Sequence, residues 1–124
     1  MVLNDGAGPN GRVLKPETVA QMSRNGLGKL KVGGRPTSIP SLTNADEVFP
    51  GLAKSWAYTF MVNDEPTPSG RPAGSLMWAG LANLFYRIDP HSAIGGFWAR
   101  RSCRSRTWRR TRGSSISRRP CIGC

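Results

Sequence analysis

The residues of this 124-residue chain that could bind a metal are three cysteines and one histidine. Cys121 and Cys124 have the Cys-x-x-Cys spacing of half a zinc site or of a redox pair. A closed zinc site needs four ligands, and Cys103 and His91 are the remaining candidates. Because the spacing of the four matches no common zinc finger, we interpret the cysteines as incidental and predict no metal and no cofactor. His91, which follows Asp89 and Pro90, is predicted to be an exposed turn residue.

Half of the basic residues lie in the last 25 positions. Residues 100–124 contain nine arginines and no acid, whereas residues 1–99 contain nine lysines or arginines and seven acids, so +9 of the net charge of +11 belongs to this tail. The arginines and Trp108 could bind RNA or DNA by phosphate neutralisation and stacking. A tail of this charge is also expected to bind polyanions without specificity. Since it has few apolar residues to bury, it is predicted to be disordered.

A run of apolar and aromatic residues between Gly74 and Pro90 predicts two antiparallel strands. The first strand contains Leu76 to Trp78, the region around Gly80 forms the turn, and the second strand is rich in aromatic and branched residues. It ends at Asp89-Pro90, because proline cannot donate to a strand ladder. A third run over 94–99 completes a predicted meander.

The same residues carry a resemblance to a known family. The triplet Trp78-Ala79-Gly80, the strand ending Ile88-Asp89-Pro90 and the upstream segment VLKPETVAQMSRN resemble the serine hydrolases of the β-lactamase-related family. This family includes class C β-lactamases, esterases and penicillin-binding-protein-like enzymes. In it, a Lys-Thr-Gly, His-x-Gly or Trp-x-Gly triplet lies on the sheet strand that borders the active site. The resemblance covers about residues 1–99.

The resemblance implies acyl transfer from a small ester or amide to water. By resemblance, Trp78 lines the substrate pocket, Gly80 allows close approach of the backbone, and the backbone N–H of Leu81 is one of two oxyanion-hole donors. The family also needs a serine three residues before a lysine, and a Tyr-x-Asn motif. The sequence contains neither. We therefore expect residues 1–99 to be the C-terminal part of such a domain, without catalytic residues of its own and inactive alone.

The remaining pattern predicts an α+β fold: a partial antiparallel sheet of about four strands with one short N-terminal helix. The helix is expected from Pro16 to near Arg24, with proline and glutamate in its first turn. Residues 26–54 are predicted to be loop, including a solvated polar run at 44–47. Alternating aromatic residues predict one strand over 56–62. One short helix cannot cover such a sheet, so several aromatic side chains are expected to remain exposed.

The composition of the tail also permits an interpretation at the level of coding DNA. With permitted codons, moving the frame back by one base converts residues 101–109 into QILPFADVE and residues 114–124 into LFDLEKAVYRL. The second string has helical apolar spacing. Residues 100–124 are therefore interpreted as a frameshift product, and a selected basic tail of a small nucleic-acid-binding protein is the alternative.

Hydropathy predicts no membrane-spanning segment, because no apolar run reaches about 18 residues. The first residues lack a basic region followed by an apolar core, so no secretory signal is visible and a cytoplasmic location is the default expectation.

Overall fold

The computed structural model describes residues 1–41, 44–80 and 84–99. Over these residues the fold is α+β, as predicted, with one α-helix, a two-stranded sheet and a five-stranded sheet, both antiparallel. The strands are β1 (Ala7–Gly8), β2 (Gly11–Arg12), β3 (Lys54–Trp56), β4 (Met61–Asn63), β5 (Leu76–Gly80), β6 (Leu84–Asp89) and β7 (Ile94–Ala99). The tail at 100–124 lies outside the described residues.

The N-terminal segment is a short 3-10 turn, Val2–Asn4, followed by the β1–β2 hairpin. Gly6 adopts φ 88°, and its carbonyl accepts hydrogen bonds from the N–H groups of Val13 and Leu14 at 2.9 and 3.1 Å. A positive φ of this size suits glycine, which has no Cβ. The carbonyl of Gly6 thereby ties the start of the chain to the segment that leads into the helix.

The helix, α1, spans Pro16–Ser23, within one residue of the prediction. Pro16 and Glu17 occupy its first turn, where the missing N–H is harmless and the negative charge favours the helix N-terminus. Val19 is its buried residue. The helix is therefore a surface element attached by one apolar side chain, and it leaves most of the sheet uncovered.

The five-stranded sheet is a meander with the order β3-β4-β5-β6-β7, so it has one strand more than predicted. The single strand predicted over 56–62 is wrong: β3 and β4 form a hairpin, with Trp56 opposite Met61. The N–H of Ala57 donates to the carbonyl of Phe60 at 2.8 Å and closes the turn. The alternation of aromatic residues over 56–62 did not indicate the true strand boundaries. The reason is that β4 is buried on both faces, and the sequence of such a strand does not alternate between apolar and polar residues.

Two apolar clusters pack against the sheet. The first has Val62 and Leu76 at its centre and is joined by Val2 from the N-terminal turn. The second has Met61 and Met77 at its centre and is covered by Val48 from the loop before β3. The long loop, rather than the helix, covers the second cluster. The last strand, β7, is not covered by either cluster: Phe97 and Trp98 are 68% and 66% exposed. Tyr58, in the turn between β3 and β4, is also 68% exposed.

Candidate functional site

Trp78 lies on β5, half-buried and opposite Tyr86. Its ring meets the ring of Trp56 edge to face, with centroids 4.4 Å apart and an interplanar angle of 68°. The guanidinium carbon of Arg35 lies 4.4 Å from the centre of the same ring. A cation over an indole face is attracted by the ring quadrupole. The side chain of Trp78 is thus held between an aromatic edge and a positive charge.

Arg35 is fixed by Asp46 on the other side of the long loop. The two residues exchange backbone hydrogen bonds of 2.7 and 2.9 Å, and their side chains form an ion pair. The side chain of Asp46 is only 8% exposed, so the prediction of a solvated run at 44–47 is wrong at this residue. The acid is withdrawn from water because Arg35 neutralises it, and the pair pins the loop onto Trp78.

A shallow depression of about 310 Å³ lies beside this pair. Its lining residues are Gly34, Arg35, Pro36, Ala45, Asp46 and Glu47. Trp78 borders it only through Arg35. The lining offers charges and backbone groups, but no hydroxyl or thiol that could attack a carbonyl. The depression can therefore hold a ligand by charge, whereas covalent catalysis needs a group from elsewhere.

Gly80 is the last residue of β5, opposite Leu84, and is exposed. Beyond its chain neighbours, no described heavy atom lies within 4 Å of the position where a Cβ would stand. None of the described residues therefore fills the space beside this backbone, and the resemblance implies such a space for a glycine that allows close approach. Leu81, the predicted oxyanion-hole donor, lies outside the described residues. Its role and the pocket-lining role of Trp78 remain predictions.

Ser55, Asp64 and Lys31 form a polar cluster that sequence reasoning missed. The hydroxyl of Ser55 donates to Asp64 Oδ1 at 2.6 Å, and Lys31 Nζ lies 2.7 Å from Asp64 Oδ2. Burial alone would raise the pKa of Asp64, but the hydrogen bonds from Lys31 and Ser55 and the lysine charge hold it below 3.8. Ser55 is completely buried, so no substrate can reach its hydroxyl. The cluster is structural.

The turn between β6 and β7 is organised by Asp89. Its Oδ1 accepts hydrogen bonds from the backbone N–H groups of His91 and Ser92 at 3.1 and 3.2 Å. Burial would raise the pKa of Asp89, but these hydrogen bonds and the charge of Arg87 lower it. His91 itself is an exposed turn residue, as predicted. Asp89 thus works as a local acceptor for the turn, in the manner of an Asx turn.

The described part of the chain contains neither a candidate metal site nor a candidate membrane-spanning helix. Within residues 1–41, 44–80 and 84–99, no group of three or more histidine, cysteine or acidic side chains could hold a metal ion. The three cysteines lie outside these ranges. Nor does any helix in the same ranges have the length and apolar character needed to cross a bilayer.

The chain matches no protein-family model and no curated protein. Assignments of function therefore depend on the residues of this chain and their arrangement.

Proposed function

We propose that residues 1–99 are the C-terminal part of a serine hydrolase domain of the β-lactamase-related family. The complete domain would transfer the acyl group of a small ester or amide to water. The observation that carries the proposal is the position of the triplet Trp78-Ala79-Gly80. It ends an interior strand of an antiparallel meander, and the chain then returns in an aromatic strand that stops at Asp89-Pro90.

The geometry around the triplet supports the roles that the resemblance gives it. The open space beside Gly80 leaves room for a substrate carbonyl to approach the end of β5. Trp78, held by Trp56 and Arg35, offers a fixed apolar wall. In this proposal the N–H of Leu81 stabilises the oxyanion, and such donors are worth about 3 kcal/mol of transition-state stabilisation.

The nucleophile has to come from outside this chain, because the sequence has no Ser-x-x-Lys and no Tyr-x-Asn. We predict that the purified chain hydrolyses p-nitrophenyl esters and nitrocefin no faster than buffer does. The sharpest control is Ser92→Ala, since Ser92 is exposed and its side chain hydrogen-bonds the carboxylate of Asp89. Turnover that survives repurification and is lost in this variant would contradict the proposal.

The positive test is the DNA that flanks this reading frame. If residues 1–99 derive from a hydrolase domain, the upstream DNA should encode a Ser-x-x-Lys and a Tyr-x-Asn in the same direction. Upstream DNA that encodes neither motif in any frame would overturn the proposal, whatever the activity assays show.

The second candidate function is nucleic-acid binding by residues 100–124. Nine arginines and Trp108 favour it, because guanidinium groups neutralise phosphates and indole rings stack on bases. The discriminating measurement is binding to RNA and DNA of several sequences at rising salt, with a chain that ends at Ala99 as the control. Sequence-selective binding that persists at physiological salt would favour this function, and weak binding without selectivity would reflect charge alone.

A further inference from the structure

A row of residues crosses the sheet from β5 to β7. Met77 lies opposite Arg87, and Arg87 lies opposite Gly96. Since side chains two positions apart share a face of a strand, Asp89 lies on the same face as Arg87. Its Oδ2 is 3.6 Å from Arg87 Nη2. This face of β6 therefore carries one cation and one anion beside each other.

A second guanidinium reaches the same row from the loop before β5. Arg71 is half-buried, with Nη1 2.8 Å from the sulfur of Met77 and its guanidinium carbon 4.9 Å from the ring centre of Phe49. Burial lowers the pKa of Arg71, the nearby charge of Arg87 lowers it further, and Asp89 partly opposes both. Because Arg71 contacts Met77 and Met77 lies opposite Arg87, the two arginines lie on the same row of the sheet.

The charges on this face do not balance. Two guanidinium groups face one carboxylate, Asp89, whose Oδ1 is already occupied by the turn N–H groups. Arg87 Nε is buried and has no hydrogen-bond acceptor among residues 1–41, 44–80 and 84–99. The guanidinium of Arg71 contacts a thioether and an aromatic ring, which are both neutral. Both arginines are only partly buried, and the side chain of Arg87 is 39% exposed, so an anion from solvent can reach their guanidinium groups.

Open apolar ground, formed by Ile94, Gly96 and Trp98 of β7, adjoins Arg87. No described heavy atom beyond the chain neighbours lies within 4 Å of a Cβ placed on Gly96. On the same face of β7, Ile94 and Trp98 stand two positions away on either side, and both are exposed. Trp98 lies opposite Phe85, which lengthens the apolar surface. A ligand seated on Gly96 would thus meet a guanidinium on one side and apolar side chains along the strand.

We propose that the face formed by Arg71, Arg87 and Gly96 binds a small monoanionic carboxylate that carries an apolar or aromatic body. The carboxylate accepts hydrogen bonds from the two guanidinium groups, which suit the two oxygens of a carboxylate. The apolar body lies over Gly96 between Ile94 and Trp98. One negative charge neutralises the net charge of the two arginines and Asp89. The site is independent of the hydrolase proposal.

The test is titration of the full 124-residue chain with phenylacetate, followed through the backbone amide signal of Gly96. An ionic strength of about 150 mM screens weak binding to exposed charges. We expect a saturable shift of the Gly96 signal. Phenylacetamide, which lacks the charge, and acetate, which lacks the ring, should each bind at least about tenfold more weakly, since a charge-assisted hydrogen bond or a buried ring contributes about that factor.

Substitutions at the proposed site test its location. Arg71→Gln removes a guanidinium, and Gly96→Leu places a side chain where the apolar body of the ligand would lie. Each substitution should weaken phenylacetate binding about tenfold. Arg24→Gln removes an exposed arginine just after α1 and should leave the affinity unchanged. If Arg71→Gln disrupts the folded structure, the affinity of Gly96→Leu for phenylacetate is the result that tests the proposal. Equal affinity for phenylacetate and phenylacetamide, the absence of saturation, or equal weakening by Arg24→Gln would overturn the proposal.

Discussion

At the scale of single residues, two carboxylates of this protein are paired with cations far along the chain. Lys31 and Asp64 are 33 positions apart, and Arg35 and Asp46 are 11 apart. Such pairs leave no local pattern, because each partner is an ordinary polar residue in a loop or at a strand end. Trp78 and Gly80 were singled out because they belong to one triplet, and their roles stay predictions, whereas the exposed turn position of His91 followed from the turn sequence around it. Ser55 and Asp64 had no such signal.

Asp64 provides a test of this pairing. Its pKa in the folded chain lies below 3.8, so the bonds to Lys31 and Ser55 stabilise the fold when the pH is above the unfolded value. That contribution should be lost as the pH falls through the lower, folded pKa. We expect carbon NMR of the carboxyl group to show the lowered value.

Lys31→Met is the matched variant, because it removes the charge and one hydrogen bond but leaves Ser55 in place. Since burial acts in the opposite direction, the pKa of Asp64 should rise in Lys31→Met. An unchanged titration curve would show that Lys31 does not hold the carboxylate.

At the scale of elements, the sequence predicted the helix and strands whose ends are marked by residues that start or stop regular structure. Pro16 and Glu17 mark the start of α1, and Asp89-Pro90 marks the end of β6. The hairpin of β3 and β4 was missed because its turn, residues 57–60, contains no glycine, proline or asparagine. The alternating aromatic residues of this hairpin instead predict one continuous strand. The packing of both faces of β4 decided the outcome, and packing is not visible in local spacing.

Gly6 and Gly70 form a matched pair for testing the N-terminal hairpin. Their φ angles are 88° and 87°, but a Cβ on Gly6 would overlap the carbonyl of Leu14, whereas a Cβ on Gly70 would meet nothing within 4 Å. Both alanine variants incur the cost of a positive φ. Gly6→Ala should cost at least about 1 kcal/mol more, a factor of about five in a local opening equilibrium.

The measurement is hydrogen exchange at the amides of Val13 and Leu14, which donate to the carbonyl of Gly6. Exchange should be faster in Gly6→Ala than in the original chain and nearly unchanged in Gly70→Ala. Equal effects of the two substitutions would mean that the close approach at Gly6 does not constrain the hairpin.

At the scale of the whole molecule, burial is uneven along the meander. β4 is buried throughout, whereas every residue of β7 is exposed. Phe97 and Trp98 are adjacent, so they point to opposite faces of the sheet, and both are uncovered among the described residues. From its single short helix the sequence predicted exposed aromatic residues along the whole sheet, which is confirmed for Trp98 but wrong for Phe60, which is buried. It did not predict that the loop before β3 would cover Met61 and Met77, because that loop has no periodic pattern.

The frameshift interpretation gives the last prediction, since it names what would cover β7. DNA sequencing just after the Ala99 codon should show that one added base restores an open frame close to QILPFADVE, followed by the amphipathic string LFDLEKAVYRL. A chain expressed from the restored frame should bind less anilinonaphthalene sulfonate and unfold over a narrower temperature range than the 124-residue chain. The reason is that the regained apolar residues would bury Phe97 and Trp98.

A chain that ends at Ala99 serves as the control, because it has neither the tail nor the restored apolar residues. Early stop codons in the shifted frame, or an unchanged dye response after restoration, would contradict the interpretation. Residues 100–124 would then be native to this protein, and phosphate neutralisation by their nine arginines would become the leading explanation of its function.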